Sequence, residues 1–329
     1  MKSFRTKPVN SGRLLGDGGA LVLAIWLATA IASPAQTFTT LASFNGSNGR
    51  NPQATLVQGR DGNLYGTAMI GGADKWGTVF KLTRAGKVTR LYNFCSQRNC
   101  ADGKNGYAGL VQATDCNLYG TTQTGGASGY GTVFKITRAG KLTTLYSFCS
   151  QNICADGEEP FAGLVQATDG NFYGTTFYGG AINGAGGTVF KITPAGKLTT
   201  LYSFCSQSKC ADGQQPHAGL VQATDGNLYG TTSAGGAYKW GTVFSLSTGL
   251  SPFVTFVRTS GKVGQTAQIL GQGLTGTTAV SFNGTAASFV VHSDTYLTAT
   301  IPSGASTGYV TVTTPSGTLK SKVRFRVIP

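Results

Sequence analysis

Short runs of alternating apolar and polar side chains fill the chain after residue 35, and none of them sustains a 3.6-residue period. In "GTVFKIT" (131–137), Phe134 and Ile136 fall on one side while Val133 and Lys135 fall on the other, the period of two that a strand requires. "LTTLYSF" (142–148) alternates in the same way, with Leu142, Thr144, Tyr146 and Phe148 on one face. Ahead of these, "GLVQAT" (109–114) runs into the turn "DCN" and out again as "LYGTT" (118–122), which is a hairpin signal. A Gly pair, Gly125 and Gly126, opens the loop to the next strand. The pattern predicts a four-stranded antiparallel meander.

That unit recurs. The Asp of its first turn stands at 61, 115, 169 and 225, spaced by 54, 54 and 56 residues, the last interval lengthened by two in "AINGAGGTVF". A fixed period longer than most solenoid repeats, built of strands, predicts the blades of a β-propeller. The final copy stops after its third strand, "GTVFSLS" (241–247), while the chain opens with an orphan "TFTTLASF" (37–44) that resembles "KLTTLYSF" (197–204). The expected architecture is all-β: four blades of four strands, closed by the N-terminal strand, since closure removes exposed sheet edges. The alternative is an open array, or one completed by another copy.

"AGLVQATDGNLYGTT", the Gly pair and "GTVFKIT" resemble the GloVer tandem repeat of exported bacterial proteins over residues 41 to 248. The resemblance implies export and a repeat fold, and no activity. Near Leu250 the chain changes character: turns come every 8 to 12 residues, strands are rich in Thr and Val, and Cys is absent. "GKVGQTAQILGQGL", "TAVSFNGTAA" and "SDTYLTATIPSGASTGYVTVTTPSG" resemble the IPT/TIG immunoglobulin-like domain, which implies a small Ig-like β-sandwich acting as spacer or adhesion module. The organisation expected is a signal peptide (1–35), a propeller domain (36–249) and an IPT/TIG domain (250–329).

Export is also read from the N-terminus. Lys2, Arg5, Lys7 and Arg13 form a basic region, "ALVLAIWLATAI" (20–31) an apolar one, and Ser33-Pro34-Ala35 a small-residue cleavage site before Gln36. A membrane anchor needs about 18 to 20 apolar residues, more than this run supplies. Nothing after it is expected to span a bilayer. Removing residues 1–35 takes the Lys and Arg from 26 to 22 and the Asp and Glu from 12 to 11, so the mature chain stays strongly basic. Outside a cell, that charge suits anionic polysaccharide or another envelope component rather than nucleic acid. The location expected is secreted or cell-surface, extracellular or periplasmic.

An oxidising compartment sets the reading of the cysteines. Three pairs share one C-x4-C spacing in equivalent loops: Cys95 with Cys100, Cys149 with Cys154, and Cys205 with Cys210. Local disulfides are expected; zinc would need four ligands, and each loop offers two thiolates. Cys116 has no partner in sequence and stands where the other copies carry Gly62, Gly170 and Gly226.

No catalytic constellation emerges, and the chain reads as non-enzymatic. Of eleven acidic residues beyond the signal, four open the D-x-N turns and three follow the second Cys of each pair as Asp102, Asp156 and Asp212. Turn chemistry accounts for these seven. No cofactor is implied; calcium is the one cation that those three Asp bring up. Glu158 and Glu159 are the only glutamates and are sequence neighbours, a poor acid and base pair for a sugar bond. His217 and His292 belong to different domains, in neither a triad nor a metal spacing.

Two patterns survive as binding candidates. His217 shares a column with Tyr107 and Phe161, which reads either as packed loop rings or as aromatics for stacking on sugars. Trp76, Tyr130 and Trp240 follow the Gly pairs, with Tyr178 just before one, and they too fit either sugar faces or gaps between blades. Basic residues, Arg84 and Arg138 among them, recur around the third turn of each unit and are expected on one face, as an anion-attracting ring or as solvated hairpin tips. Together these features describe an exported binding, adhesion or scaffold protein for carbohydrate or envelope components. The alternatives are a polysaccharide lyase or hydrolase with a site at the propeller centre, and a purely structural assembly protein.

Overall fold

The structure is a computed structural model that describes residues 36–180 and 186–328. Residues 1–35, where an export signal is expected, and the "AINGA" insertion (181–185) lie outside the described residues. Four repeats follow one another. The first comprises β1 (Val57–Gln58), β2 (Leu64–Ala68), β3 (Thr78–Leu82) and β4 (Val88–Asn93). The second comprises β5 (Val111–Gln112), β6 (Leu118–Thr122), β7 (Thr132–Ile136) and β8 (Leu142–Ser147). In the third come β9 (Val165–Gln166), β10 (Phe172–Thr176), β11 (Thr188–Ile192) and β12 (Leu198–Ser203). The last holds β13 (Val221–Gln222), β14 (Leu228–Thr232) and β15 (Thr242–Leu246). Each is a separate antiparallel meander in sequence order, four-stranded three times and then three-stranded.

The alternation read in the sequence is met, but both faces of each inner sheet are covered. Phe134 and Ile136 pack with Tyr65, Val79 and Phe94 of the preceding repeat. Val133 and Phe148 pack with Phe172, Phe190 and Ile192 of the following one. Sheets therefore stack face to face, and a ring like that of Phe134, fully buried, contributes roughly 1.5–3 kcal/mol. Close approach needs glycine at Gly120, where a Cβ would sit 2.7 Å from Leu110 and 2.8 Å from Phe134. Interdigitated Phe pairs mark every step: Phe94 with Phe134 at 5.3 Å, Phe148 with Phe190 at 5.1 Å, and Phe204 with Phe244 at 5.0 Å.

Polar side chains fix the register between repeats. Gln166 accepts from the Thr114 backbone N–H at 2.9 Å, and Gln222 from that of Thr168 at 3.1 Å. Thr67 and Thr121 donate to the carbonyls of Ala108 and Ala162 at 2.8 and 3.0 Å. The Gln bonds join residues 52 and 54 positions apart, about one period, and the Thr bonds residues 41 apart, so both kinds tie each repeat to the next.

Among the described residues, no strand pairing joins Leu41–Phe44 to the last blade. Residues 36–45 carry no strand, and among the described residues β15 has no neighbour on its outer edge. Leu41–Phe44 does take the place of a fourth strand beside the first repeat. Phe44 meets Phe80 at 5.0 Å as Phe94 meets Phe134, and a Cβ on Gly86 would collide with the Leu41 carbonyl as one on Gly140 would with that of Leu91. The segment caps the first repeat without completing the fourth.

The C-terminal strands are β16 (Thr255–Phe256), β17 (Ser260–Lys262), β18 (Thr266–Leu270), β19 (Ala279–Phe282) and β20 (Thr285–Ala287). They continue with β21 (Phe289–Ser293), β22 (Tyr296–Thr300), β23 (Val310–Thr314), β24 (Gly317–Lys320) and β25 (Arg326–Ile328). Two four-stranded sheets, β16-β18-β22-β21 and β20-β19-β23-β24, enclose one core that includes Ile269, Leu297, Val280 and Val312; β17 pairs in parallel with β25. This is the two-sheet sandwich that the turn spacing predicts. Its entry segment is tied to the fourth repeat, where the Phe253 N–H donates to the Thr224 carbonyl at 2.9 Å and Leu250 packs against the repeat core.

Candidate functional site

Meander topology divides the repeat region into two ends. The first turns, "DGN" or "DCN", and the third turns of the first three repeats, "RAGK" or "PAGK", lie at one end; the loops after the Gly pairs and the three disulfide loops lie at the other. The candidates read from sequence separate accordingly. Arg84 and Arg138 stand at the turn end, and all the aromatic candidates stand at the loop end.

At the loop end one column converges. The rings of Tyr107 and Phe161 meet edge to face at 5.4 Å, Phe161 stacks on His217 at 4.8 Å, and Tyr107 reaches His217 at 6.0 Å. Residues from the second, third and fourth repeats thus touch one another, which requires the repeats to curve tightly about a common axis. Backbone bonds hold the column: the N–H groups of Asn105, Glu159 and Gln215 donate to the carbonyls of Trp76, Tyr130 and Gly186 at 2.7–2.9 Å. Each such bond lies two residues before the ring it positions.

Phe177 extends the cluster, 5.1 Å from Phe161, 5.8 Å from His217 and 4.5 Å from Tyr178. It was missed in the sequence, although it is an aromatic where the other copies carry Met69, Gln123 and Ser233. Trp76, Tyr130 and Trp240 stand outside the cluster with their rings exposed, Trp240 at 90%. Lys104 places its ammonium 4.8 Å from the Trp76 ring, another contact that the sequence did not announce. The end as a whole offers flat, exposed rings around a packed aromatic plug.

Glu158 and Glu159 join this end. Their backbones pair with Tyr178 and Tyr130, and Gln123 donates to the Glu159 carboxylate at 3.4 Å. Burial first, and then the neighbouring Glu159 charge, push the Glu158 carboxyl above the ordinary glutamate value. His292 lies far along the chain in the sandwich, stacked on Tyr296 at 5.0 Å with a ring nitrogen 2.9 Å from the Thr298 hydroxyl.

The three cysteine pairs are bonded as expected: Cys95–Cys100, Cys149–Cys154 and Cys205–Cys210. Asp102, Asp156 and Asp212 do not converge on a cation. Each is enclosed by its own disulfide loop; Asp102 accepts from Tyr92 Oη at 2.8 Å and from the Ser96 and Gln97 N–H groups at 3.0 and 3.2 Å. Asp156 and Asp212 repeat the pattern with Tyr146 and Tyr202. Every one of these carboxylates has hydrogen bonds within the protein.

The turn end is less basic than its sequence suggests. Asp61 binds Asn63 through both its backbone and side-chain N–H and accepts from Tyr65 Oη at 2.7 Å, and the other three copies do the same. Burial raises the Asp169 carboxyl, but bonds from Asn171, Lys191 and Tyr173 outweigh it and leave it below the usual aspartate value. Lys191 lies 2.9 Å from Asp169, and the Arg138 charge acts on Asp61 from the next repeat. The Tyr65 hydroxyl is pushed up to about 12, by burial first and then by its bond to Asp61. The turn carboxylates thus offset part of the ring of cations.

The sequence model of the Gloeobacter/Verrucomicrobia repeat matches residues 29–211. Among curated proteins none matches. Similar solved structures include the periplasmic gluconolactonase PpgL of Pseudomonas aeruginosa, 12% identical over 81% of this chain and 79% of its own, with a TM-score of 0.32. A fungal alcohol oxidase of the AA5 family, in complex with copper, is 12% identical over 83% of this chain and 75% of its own, with a TM-score of 0.33. Scores this low carry nothing over to this chain. Among the described residues, no helix is long and apolar enough to cross a membrane.

Proposed function

The chain belongs to the Gloeobacter/Verrucomicrobia repeat family, and from that premise we propose that it is an exported, non-enzymatic binding protein that holds envelope carbohydrate at the loop end of its repeats. The observation that carries this is the meeting of Tyr107, Phe161 and His217, drawn from three repeats, with the exposed rings of Trp76, Tyr130 and Trp240 around them. Rings that only filled gaps between sheets would be buried, as Phe94 and Phe148 are. Three disulfides support a location outside the reducing cytoplasm. In this reading residues 1–35 direct export, the sandwich is an IPT/TIG Ig-like spacer, and Leu41–Phe44 closes the four repeats into a ring when it seats on β15. The tight axis at Tyr107 and His217 supports that closure.

The test is retention of residues 36–329 on neutral and acidic polysaccharides, with Trp240→Ala and a Tyr107→Ala, Phe161→Ala double variant alongside the wild type. Loss of retention in either variant, with thermal stability preserved for Trp240→Ala, supports the assignment. Undiminished retention in both removes it.

One observation favours a second reading, a polysaccharide-cleaving enzyme. Glu158, with its raised carboxyl, Glu159 and His217 all occur once among the repeats and all lie at the loop end. New reducing or unsaturated sugar ends that disappear in Glu158→Gln would replace the binding assignment with this one.

A further inference from the structure

Opposite the aromatic end, at the turn end of the axis, the repeats and the sandwich enclose a cleft of about 1040 Å³. Its repeat wall carries Arg60, Gln112, Thr114 and Thr168, and its sandwich wall carries Phe253 and Lys322. Unpaired donors stand on its two facing walls. Lys322 is half-buried, its ammonium has no hydrogen bond, and its one partner is the Phe253 ring at 5.8 Å. The sole ion pair among the described residues is Lys191–Asp169, so no carboxylate answers this charge. Burial accordingly pushes the Lys322 ammonium below the ordinary lysine value.

Facing it, Gln112 keeps a buried Nε2 with no acceptor. The cause is a single departure from the repeat. Gln166 and Gln222 donate Nε2 to the hydroxyls of Thr114 and Thr168, but the equivalent position in the first repeat is Arg60, which has no hydroxyl. Arg60 instead turns its guanidinium to Cys116 Sγ at 3.1 Å, leaving further N–H groups for a ligand. A desolvated cation, an orphan amide donor and a guanidinium share one cleft, and each is costly to leave unpaired. The remaining Asp169 at the rim is already held by Lys191 and Asn171.

We propose that this cleft binds a carboxylate-bearing saccharide, a short stretch of uronic-acid polysaccharide, with Lys322 and Arg60 meeting the carboxylate and the exposed hydroxyls of Thr114 and Thr168 meeting those of the sugar. Donor groups on both walls select an anion. Exposed threonine hydroxyls beside the cationic groups suit a polyhydroxylated body better than a bare phosphate chain. The volume accommodates a few sugar rings, whereas a metal or a single small anion would leave it empty. The site is separate from the loop-end aromatics and stands or falls independently of them.

Calorimetry with trigalacturonate and with the neutral α-1,4-linked trigalactose tests it on residues 36–329. The acidic trisaccharide is expected to bind and the neutral one to bind at least tenfold more weakly. Lys322→Met should weaken acidic binding tenfold or more. Arg60→Thr restores the residue type of the second and third repeats, so the fold is kept; it should weaken binding several-fold while giving Gln112 an acceptor. Trp240→Ala, at the other end, should leave binding unchanged. Equal affinity for the two trisaccharides overturns the proposal, as does indifference to both Lys322→Met and Arg60→Thr. Inorganic phosphate competing at the same concentration as trigalacturonate overturns the saccharide assignment.

Discussion

The third and fourth repeats have almost the same sequence and very different surroundings. Tyr173 and Val189 of the third are 1% and 0% exposed, while their counterparts Tyr229 and Val243 are 36% and 81% exposed. Strand propensity, turn chemistry and the Asp-Tyr bond are alike in both, and Asp225 accepts from Tyr229 at 2.7 Å as Asp169 does from Tyr173 at 3.0 Å. What differs is the neighbour. The third repeat has the fourth laid against it, and the fourth presents the same face with nothing upon it and an unpaired β15 edge beside it. Local sequence thus builds the sheet, and stacking decides whether its apolar face is core or surface.

A charge on the shared face separates the two repeats most strongly. Val189→Asp should cost about 3–5 kcal/mol, because a carboxylate there is buried without a partner. Val243→Asp should change stability by no more than about 0.5 kcal/mol while β15 stands open; closure of the ring onto β15 would cover the residue and raise that cost. Urea unfolding of the two variants measures both, and a large cost at Val243 would break the comparison by showing that the face is covered in solution, as ring closure requires.

The disulfide loops come next. Cys149→Ser with Cys154→Ser should lower stability by about 2 kcal/mol, the chain-entropy value for so small a loop. The fourth repeat has no such loop after β15, so its own unfolding, followed by hydrogen exchange at β14, should respond less than that of β10.

A smaller effect of opposite sign is expected at Cys116. It holds a φ of 68°, where Gly62, Gly170 and Gly226 hold 78°, 81° and 90°. Cys116→Gly should therefore stabilise by about 1 kcal/mol, visible as a raised Tm. No gain would mean that the contact with Arg60 offsets the strained backbone.

Acid gives the mildest contrast. The carboxyls of Asp61, Asp115, Asp169, Asp212 and Asp225 all lie below the ordinary value of 3.8, burial raising each and hydrogen bonds more than reversing it. Depressed values mean stabilisation that is complete above about pH 4 and lost as pH falls through the native values below 3.8. The repeats should weaken before the sandwich, where Asp294 is the only acidic residue. Near-ultraviolet circular dichroism between pH 5 and pH 2 follows the Tyr-rich repeats; a simultaneous loss of both regions would remove the distinction.

Much was legible because it is local. The strand pattern of "GTVFKIT", the D-x-N turns, the C-x4-C bridges and the Thr- and Val-rich sandwich each depend on residues within a few positions of one another. The aromatic column at Tyr107, Phe161 and His217 could be listed from the repeat alignment, but its convergence could not. Phe177 and Lys104 joined that site unannounced, since each is a departure from the repeat rather than part of it.

By itself, the sequence determined an all-β chain of four meanders and a sandwich, its turns, its disulfides and the residues that recur. Tertiary structure alone decided that Tyr107 meets His217, that Val243 is bare while Val189 is buried, and that Lys322 faces Arg60 and Gln112 across a cleft. The physical reason is range. Hydrogen bonds in turns and the pleat of a strand act over a few residues, whereas burial and the pairing of charges depend on groups that only stacking and curvature bring together.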